Sequence, residues 1–326
     1  MMDLIRKFFQ IQALVTALNR LPPLKTFMMD LIYPEAVRRN HPFDRLSYSD
    51  LCLPTKNIPL VTRGSVSYAL TPDKNTLTQI DPANFTPSIT LTAADCNRFR
   101  SLGIGGQQQL VDNHIDKLRR SVRKSTEALA LQSITGKIAY DIRGGDGTLD
   151  TYMVDFGTPK TITVSKKWDA SGTQAGDVIA ALGQIGNDIK KTSDGTEIIH
   201  LIKYDVYAAL VNMAAATANK DLIKVAEDHI LVGTTKFYLC NAQYYSYKTK
   251  SYVEAVPNKS VISIARDDAF GLYYCALDSF DVDFAALPFG VRAAPSDDPE
   301  GVKLIAQSRP MPVPNVEAIR TAQVLA

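Results

Sequence analysis

The chain has 326 residues, 45% hydrophobic and 21% charged, with a formal net charge of +2. That is enough apolar material for a sizeable core without disulfide or metal staples, and at roughly 100–200 residues per domain it suggests two lobes. Near-neutral charge excludes the strongly basic domain of a dedicated nucleic-acid binder, and no apolar run approaches the ~18 residues of a membrane span.

Cys52, Cys96, Cys240 and Cys275 are far apart and form no paired motif. Their spacing fits neither a disulfide framework nor a zinc site, so they read as small buried hydrophobes. Arg6 and Lys7 precede Phe8-Phe9, but no small-residue cleavage site follows before Pro22-Pro23, unlike a secretory signal.

In chain order, Leu4, Phe8, Ile11, Val15 and Leu18 recur at gaps of four and three, one stripe of a helix that Pro22-Pro23 stops. Such a stripe either folds back on its own core or docks as an arm on a neighbouring subunit. Residues 22–57 read as irregular, with five scattered prolines. Val66, Tyr68 and Leu70 alternate with small residues, a turn at Pro72-Asp73-Lys74-Asn75 follows, and Ile89 and Leu91 flank Thr90. Residues 58–91 therefore read as a two-stranded excursion that buries little alone and must lean on something outside its domain.

The strongest helical period comes next. Val111, Ile115, Leu118, Val122 and Leu129 predict a helix over 107–134, closed by Gly136. A hairpin is expected from Lys137 to Phe156 around Gly144-Gly145-Asp146-Gly147. The polar linker Trp168 to Gly176 marks a domain boundary. Beyond it the pattern predicts a helix over 177–191 with Asp177 as N-cap, a strand at 198–202 and a helix at 206–218. Tyrosine-rich strands at 237–247 and 252–256 follow, then strands at 260–264 and 272–277. Residues 295–301 read as a second polar break, with strand-like 302–306 running into Pro310, Pro312 and Pro314.

Catalytic signatures are absent: there is no phosphate loop, zinc-protease helix or nucleophile elbow. Gly103-Ile104-Gly105-Gly106 follows no predicted strand and lacks the third spaced glycine of a dinucleotide loop. His41, His114, His200 and His229 stand alone, and Asp267-Asp268, Asp278, Asp281, Asp283 and Asp297-Asp298 lack calcium-loop spacing and read as solvated loops. No cofactor and no metal is expected. Lys117, Arg119, Arg120, Arg123 and Lys124 crowd the long helix. They read as a solvated face balanced by Asp112, Asp116 and Glu127, or as a lumen-facing basic face (Lys117, Arg120, Arg123, Lys124) touching nucleic acid.

The order of these features resembles the Hong Kong 97 (HK97) phage capsid fold, an α+β architecture, and more narrowly the lambda-type major capsid proteins, the E-type coat family. The resemblance rests on Pro23-Leu24 through Phe27, Leu31 and Tyr33-Pro34; on Trp168 before the polar linker and Asp177–Leu182; on Ile198–Leu210; and on Leu304–Pro312, with its Gln307-Ser308-Arg309-Pro310 element. It implies an N-terminal arm (1–45), an extended E-loop region (46–92), a peripheral P-domain with the long spine helix (93–175), an axial A-domain (176–295) and C-terminal return strands (296–326). It implies a structural protein, not an enzyme: the major capsid protein of a tailed phage. Such subunits form hexamers and pentamers of an icosahedral shell, built in the host bacterial cytoplasm with scaffolding protein and a portal protein. A decoration protein and non-specifically held double-stranded DNA complete the virion, with no membrane. The candidate inter-subunit contacts are Leu4, Phe8, Ile11, Val15, Leu18, Val66, Tyr68, Leu70 and Lys74. Lys74 sits where some relatives form a lysine–asparagine cross-link, which the lambda-like branch does without. The competing readings are an encapsulin-like nanocompartment shell and a two-domain ligand-binding protein.

Overall fold

A computed structural model describes residues 11–47, 51, 79–216, 222–226 and 229–326. Its axis is the spine helix Ile104–Ser133, 30 residues and about 45 Å long at 1.5 Å per residue. Val111, Ile115, Leu118 and Val122 face one hydrophobic cluster, and Ala130, Leu131 and Ile134 face another. The helix begins three residues earlier than its apolar period predicts, and a second helix, Ala93–Ser101, precedes it. Thr92 and Asp95 close a capping box there, each side chain taking the other's backbone N–H. Gly136 then turns the chain with φ +79°, and a β-carbon there would lie 2.0 Å from the Gly157 carbonyl oxygen. Only glycine fits this joint between the spine and the hairpin Lys137–Arg143/Leu149–Asp155.

The first half of the spine packs on a three-stranded antiparallel sheet made of Gly290–Asp297, Glu300–Gln307 and Ser88–Thr92. The residues expected to form a polar break at 295–301 are therefore a hairpin tip. The expected boundary between 295 and 296 cuts the strand Gly290–Asp297, because the chain has already returned to the spine's side of the molecule. A second three-stranded sheet holds Arg38–His41, Gly271–Cys275 and Pro310–Val313. The strand expected at 302–306 ends short of these prolines, yet Pro310–Val313 is itself a strand, at the sheet's edge, where a missing N–H costs no ladder bond.

The other lobe is a seven-stranded mixed sheet, in spatial order Lys160–Thr163, Ile319–Gln323, Ser260–Ala265, Ile198–Ile202, Thr235–Leu239, His229–Val232 and Ile223–Val225. Helices Ala175–Ile189 and Tyr204–Ala216 cover it. Ser260–Ala265 is buried at every position, as a central strand covered on both faces must be, and its Ser263 hydroxyl is satisfied by buried His200. The helix at 175 is capped by Gln174, with Asp177 at the third position accepting the Gln174 N–H. Asp177 is thus the far side of a capping box and not the N-cap. The tyrosine-rich stretch splits: Thr235–Leu239 joins the large sheet, while Gln243–Ser246 pairs with Ser251–Glu254 as a separate hairpin.

Residues 22–47 are more ordered than their prolines suggest. They contain the helix Phe27–Leu31, a 3₁₀ turn Glu35–Val37 and the strands Arg38–His41 and Leu46–Ser47. Leu46–Ser47 pairs antiparallel with Gln79–Ile80.

Candidate assembly interface

The N-terminal segment is fastened along the spine by polar contacts between residues about 100 apart in sequence. Glu127 lies on the buried face of the spine helix that carries Ala130, Leu131 and Ile134, three, four and seven residues further on. Its carboxylate accepts the backbone N–H of Met28 at 2.6 Å and of Met29 at 2.9 Å. These are two of the orphan donors that open the helix Phe27–Leu31. Burial raises the Glu127 pKa, and the two N–H bonds only partly offset it. Beside it Arg123 donates to Thr26 Oγ1 at 2.9 Å and to Asp30 at 2.6 Å. Arg38 donates to Asp30 at 3.0 Å and to the Met29 and Tyr33 carbonyls. Burial opposes ionisation of Asp30, but the Thr26 N–H and the two guanidiniums together hold its pKa below the usual carboxylate value. Arg119 reaches the Pro22 carbonyl, Arg20 pairs with Asp112, and Tyr33 shares a hydrogen bond with Ser133.

The segment that follows Gln79–Ile80 is held by Arg309, in the Gln-Ser-Arg-Pro element. Its guanidinium donates to the Pro82 carbonyl at 2.9 Å, to Asp81 at 3.1 Å and to Asp278 at 3.2 Å. The Tyr152 hydroxyl donates to the Asp81 carbonyl, and Phe85 and Ser308 exchange backbone bonds. One arginine thus joins the returning loop, the segment after Gly271–Cys275 and the late C-terminal strands. A third fastening joins the two exposed hairpins: the Asp141 carboxylate accepts Ser246 Oγ at 2.8 Å and the Lys248 N–H at 3.0 Å.

Of the predicted contact residues, Leu4, Phe8, Val66, Tyr68, Leu70 and Lys74 lie outside the described residues, as do the side chains of Ile11 and Val15. Leu18 is half-buried against the chain's own spine cluster, next to fully buried Ala17. At this position the stripe folds back on its own core. The basic helix face is largely spoken for. Arg119 and Arg120 share Asp116, and Arg123 turns inward to Asp30 and so does not belong to a free basic face. Lys117 and Lys124 remain exposed, with no ion pair among the described residues. The acidic pairs are not merely solvated. Asp267 accepts the Thr196 and Glu197 N–H groups, Asp268 accepts from Asn315, and Asp278 pairs with Arg309.

His200 is buried and hydrogen-bonded to Ser263, and Cys96, Cys240 and Cys275 are buried free thiols. Among the described residues no group of three or more His, Cys, Asp or Glu is placed to hold a metal, and no helix is long and apolar enough to cross a membrane. The sequence reads Glu127 only as a counter-charge on a solvated face and Arg309 only as part of the Gln-Ser-Arg-Pro element, and it does not single out Asp141. The signal available for Glu127 was its place one turn before Ala130, Leu131 and Ile134.

Residues 10–324 match the family described as phage major capsid protein E. No curated protein matches the chain in sequence. Among solved structures, a protein described as a prophage capsid protein of E. coli CFT073 superposes with a TM-score of 0.65 at 15% identity, covering 97% of this chain and 99% of that one. A phage-related protein of Bordetella bronchiseptica RB50 superposes at 0.52 and 9% identity, with 97% of each chain covered. At such identities the likeness speaks for the fold, which is the Hong Kong 97-like capsid fold. With the family matched over almost its whole length, the chain belongs to the phage major capsid protein E family, the structural subunits of the virion shell.

Proposed function

We propose that copies of this chain form the hexamers and pentamers of an icosahedral phage head, without catalysis, in the cytoplasm of the host bacterium. Scaffolding and portal proteins act in assembly, and a decoration protein later binds the shell. The observation that carries this reading is the family match over residues 10–324, which favours a phage head over a cargo compartment. The geometry supports it: the N-terminal segment is fastened to the spine, residues 81–82 to the late C-terminal strands and the two hairpins to each other, each by a buried or multi-dentate polar group. Fastening of this kind suits subunits that must present long segments to neighbours in fixed directions. Lys117 and Lys124 are the spine cations left for non-specific contact with packaged DNA. The division into arm, E-loop, P-domain and A-domain is kept in this proposal, with the A-domain ending before Gly290.

Shell maturation would then be a rigid-body rearrangement bending at the spine and its hairpin. The test is electron microscopy of the chain expressed alone and with its scaffolding partner. Shells, rings or tubes support the reading, whereas a monodisperse monomer under both conditions refutes it. Superimposable subunits in procapsid and mature shells would refute the bending.

A further inference from the structure

Two exposed aromatic patches of opposite charge border the fastenings described above. The first is the loop 278–286. Phe280 is 89% exposed and Phe284 49%, with their rings 5.1 Å apart edge to face. Asp283 and Phe284 both take left-handed backbone, φ 51° and 54°, which for non-glycine residues costs about 1 kcal/mol each. The loop is nonetheless held. Asp283 N–H donates to the Phe280 carbonyl, Phe284 N–H to Ser279 and Ala285 N–H to Val282, and Val282 is buried as its anchor. Strained backbone that is over-determined in this way clusters at functional positions. Phe43, 65% exposed, adjoins it through the Ala276 N–H bond to the Phe43 carbonyl. The loop itself carries Asp278, Asp281 and Asp283 and no Lys or Arg, in a chain whose total charge is +2.

The second patch is the pair of hairpins joined by Asp141. It exposes Met153, Tyr247 and Tyr252 at 60–67%, rimmed by exposed Arg143, Lys248 and Lys250. The Lys248 ammonium donates to Thr151, so the two hairpins present one surface.

We propose that the 278–286 loop of one subunit docks on the paired hairpins of a second copy. Phe280 and Phe284 lie against Tyr247, Tyr252 and Met153, while Asp281 and Asp283 face Lys248 and Lys250. This rests on the shell reading and adds a specific contact to it. Aromatic anchors with an opposite-charge rim are the composition of a recognition surface. Because the two patches differ, the contact is heterologous, the kind that closes rings when repeated.

The experiment compares shell yield, by sedimentation and microscopy, for the wild type, Asp281→Lys/Asp283→Lys, Lys248→Glu/Lys250→Glu and the combined fourfold swap, with circular dichroism as the folding control. Each double variant is expected to lower shell yield at least tenfold while remaining folded, and the swap to restore it. In parallel, the Asp281→Cys/Lys250→Cys chain is oxidised in assembled particles. Inter-subunit disulfide ladders, absent from either single variant, support the contact. Wild-type shells with undiminished assembly of the double variants, or intact cysteine-variant shells without ladders, overturn this contact and leave the capsid reading standing. Failure of the wild type itself to assemble, with or without scaffold, overturns both.

Discussion

Replacing Glu127 tests whether the arm is fastened as the geometry indicates. In Glu127→Ala, the Met28 and Met29 N–H groups lose their acceptor, and both residues are fully buried, so water does not replace it. Each stranded donor costs about 1–3 kcal/mol. Removing a buried carboxylate returns part of that, leaving an expected loss of about 2–4 kcal/mol. Glu127→Gln keeps one acceptor oxygen and should cost roughly half as much. The assay is urea unfolding of soluble subunits, with trypsin cleavage after Arg38 reporting arm release, since Arg38 is protected by its Asp30 pairing. The sign of the pH dependence also follows. The folded-state pKa of Glu127 lies above its ordinary value, so protonation favours the folded state. Its contribution is fully present below about pH 4.5 and declines as pH rises through the folded pKa. An alanine variant within ~0.5 kcal/mol of wild type, with Arg38 still protected, would refute the clamp, because stranded buried donors cannot be that cheap.

Arg309→Ala leaves Asp81, Asp278 and the Pro82 carbonyl without their shared donor. Because both carboxylates are largely exposed, it should cost only about 1–2 kcal/mol and speed hydrogen exchange at Gln79–Phe85, while Arg309→Lys recovers only part because it cannot reach three acceptors. Asp188 is held down to about 2 by Lys160 and Arg320. Its contribution is therefore present above about pH 3.8 and is lost as pH falls toward 2; Asp188→Asn should raise the acid-unfolding midpoint, read by circular dichroism. Burial pulls His200 down to about 4, so its neutral form stabilises the fold above about pH 6.5, and that stability drains as pH falls from there toward 4. His200→Gln should flatten the stability–pH curve across that window, and an unchanged curve would show that His200 is not the titrating group.

The sequence by itself determined the elements whose burial is periodic over many residues. The spine helix, the hairpin after Gly136 and the helix Tyr204–Ala216 are written locally in a repeating apolar face, and the strands Ile198–Ile202 and Ser260–Ala265 in short apolar-rich runs buried almost throughout. The order of these elements was enough to suggest a capsid subunit. What depends on a distant partner was decided only in three dimensions. Phe27–Leu31 is too short to hold as a helix alone and exists because Glu127 caps it. Arg38–His41 and Pro310–Val313 are strands because Gly271–Cys275 lies between them, and proline is tolerated there only because the second is an edge. The polar residues 295–301 form a hairpin tip because Ser88–Thr92 receives Glu300–Gln307. Glu127, Arg309 and Asp141 looked like ordinary surface charges for the same reason: a polar side chain's role is set by the donors and acceptors it meets, and those come from residues 31 to 228 positions away.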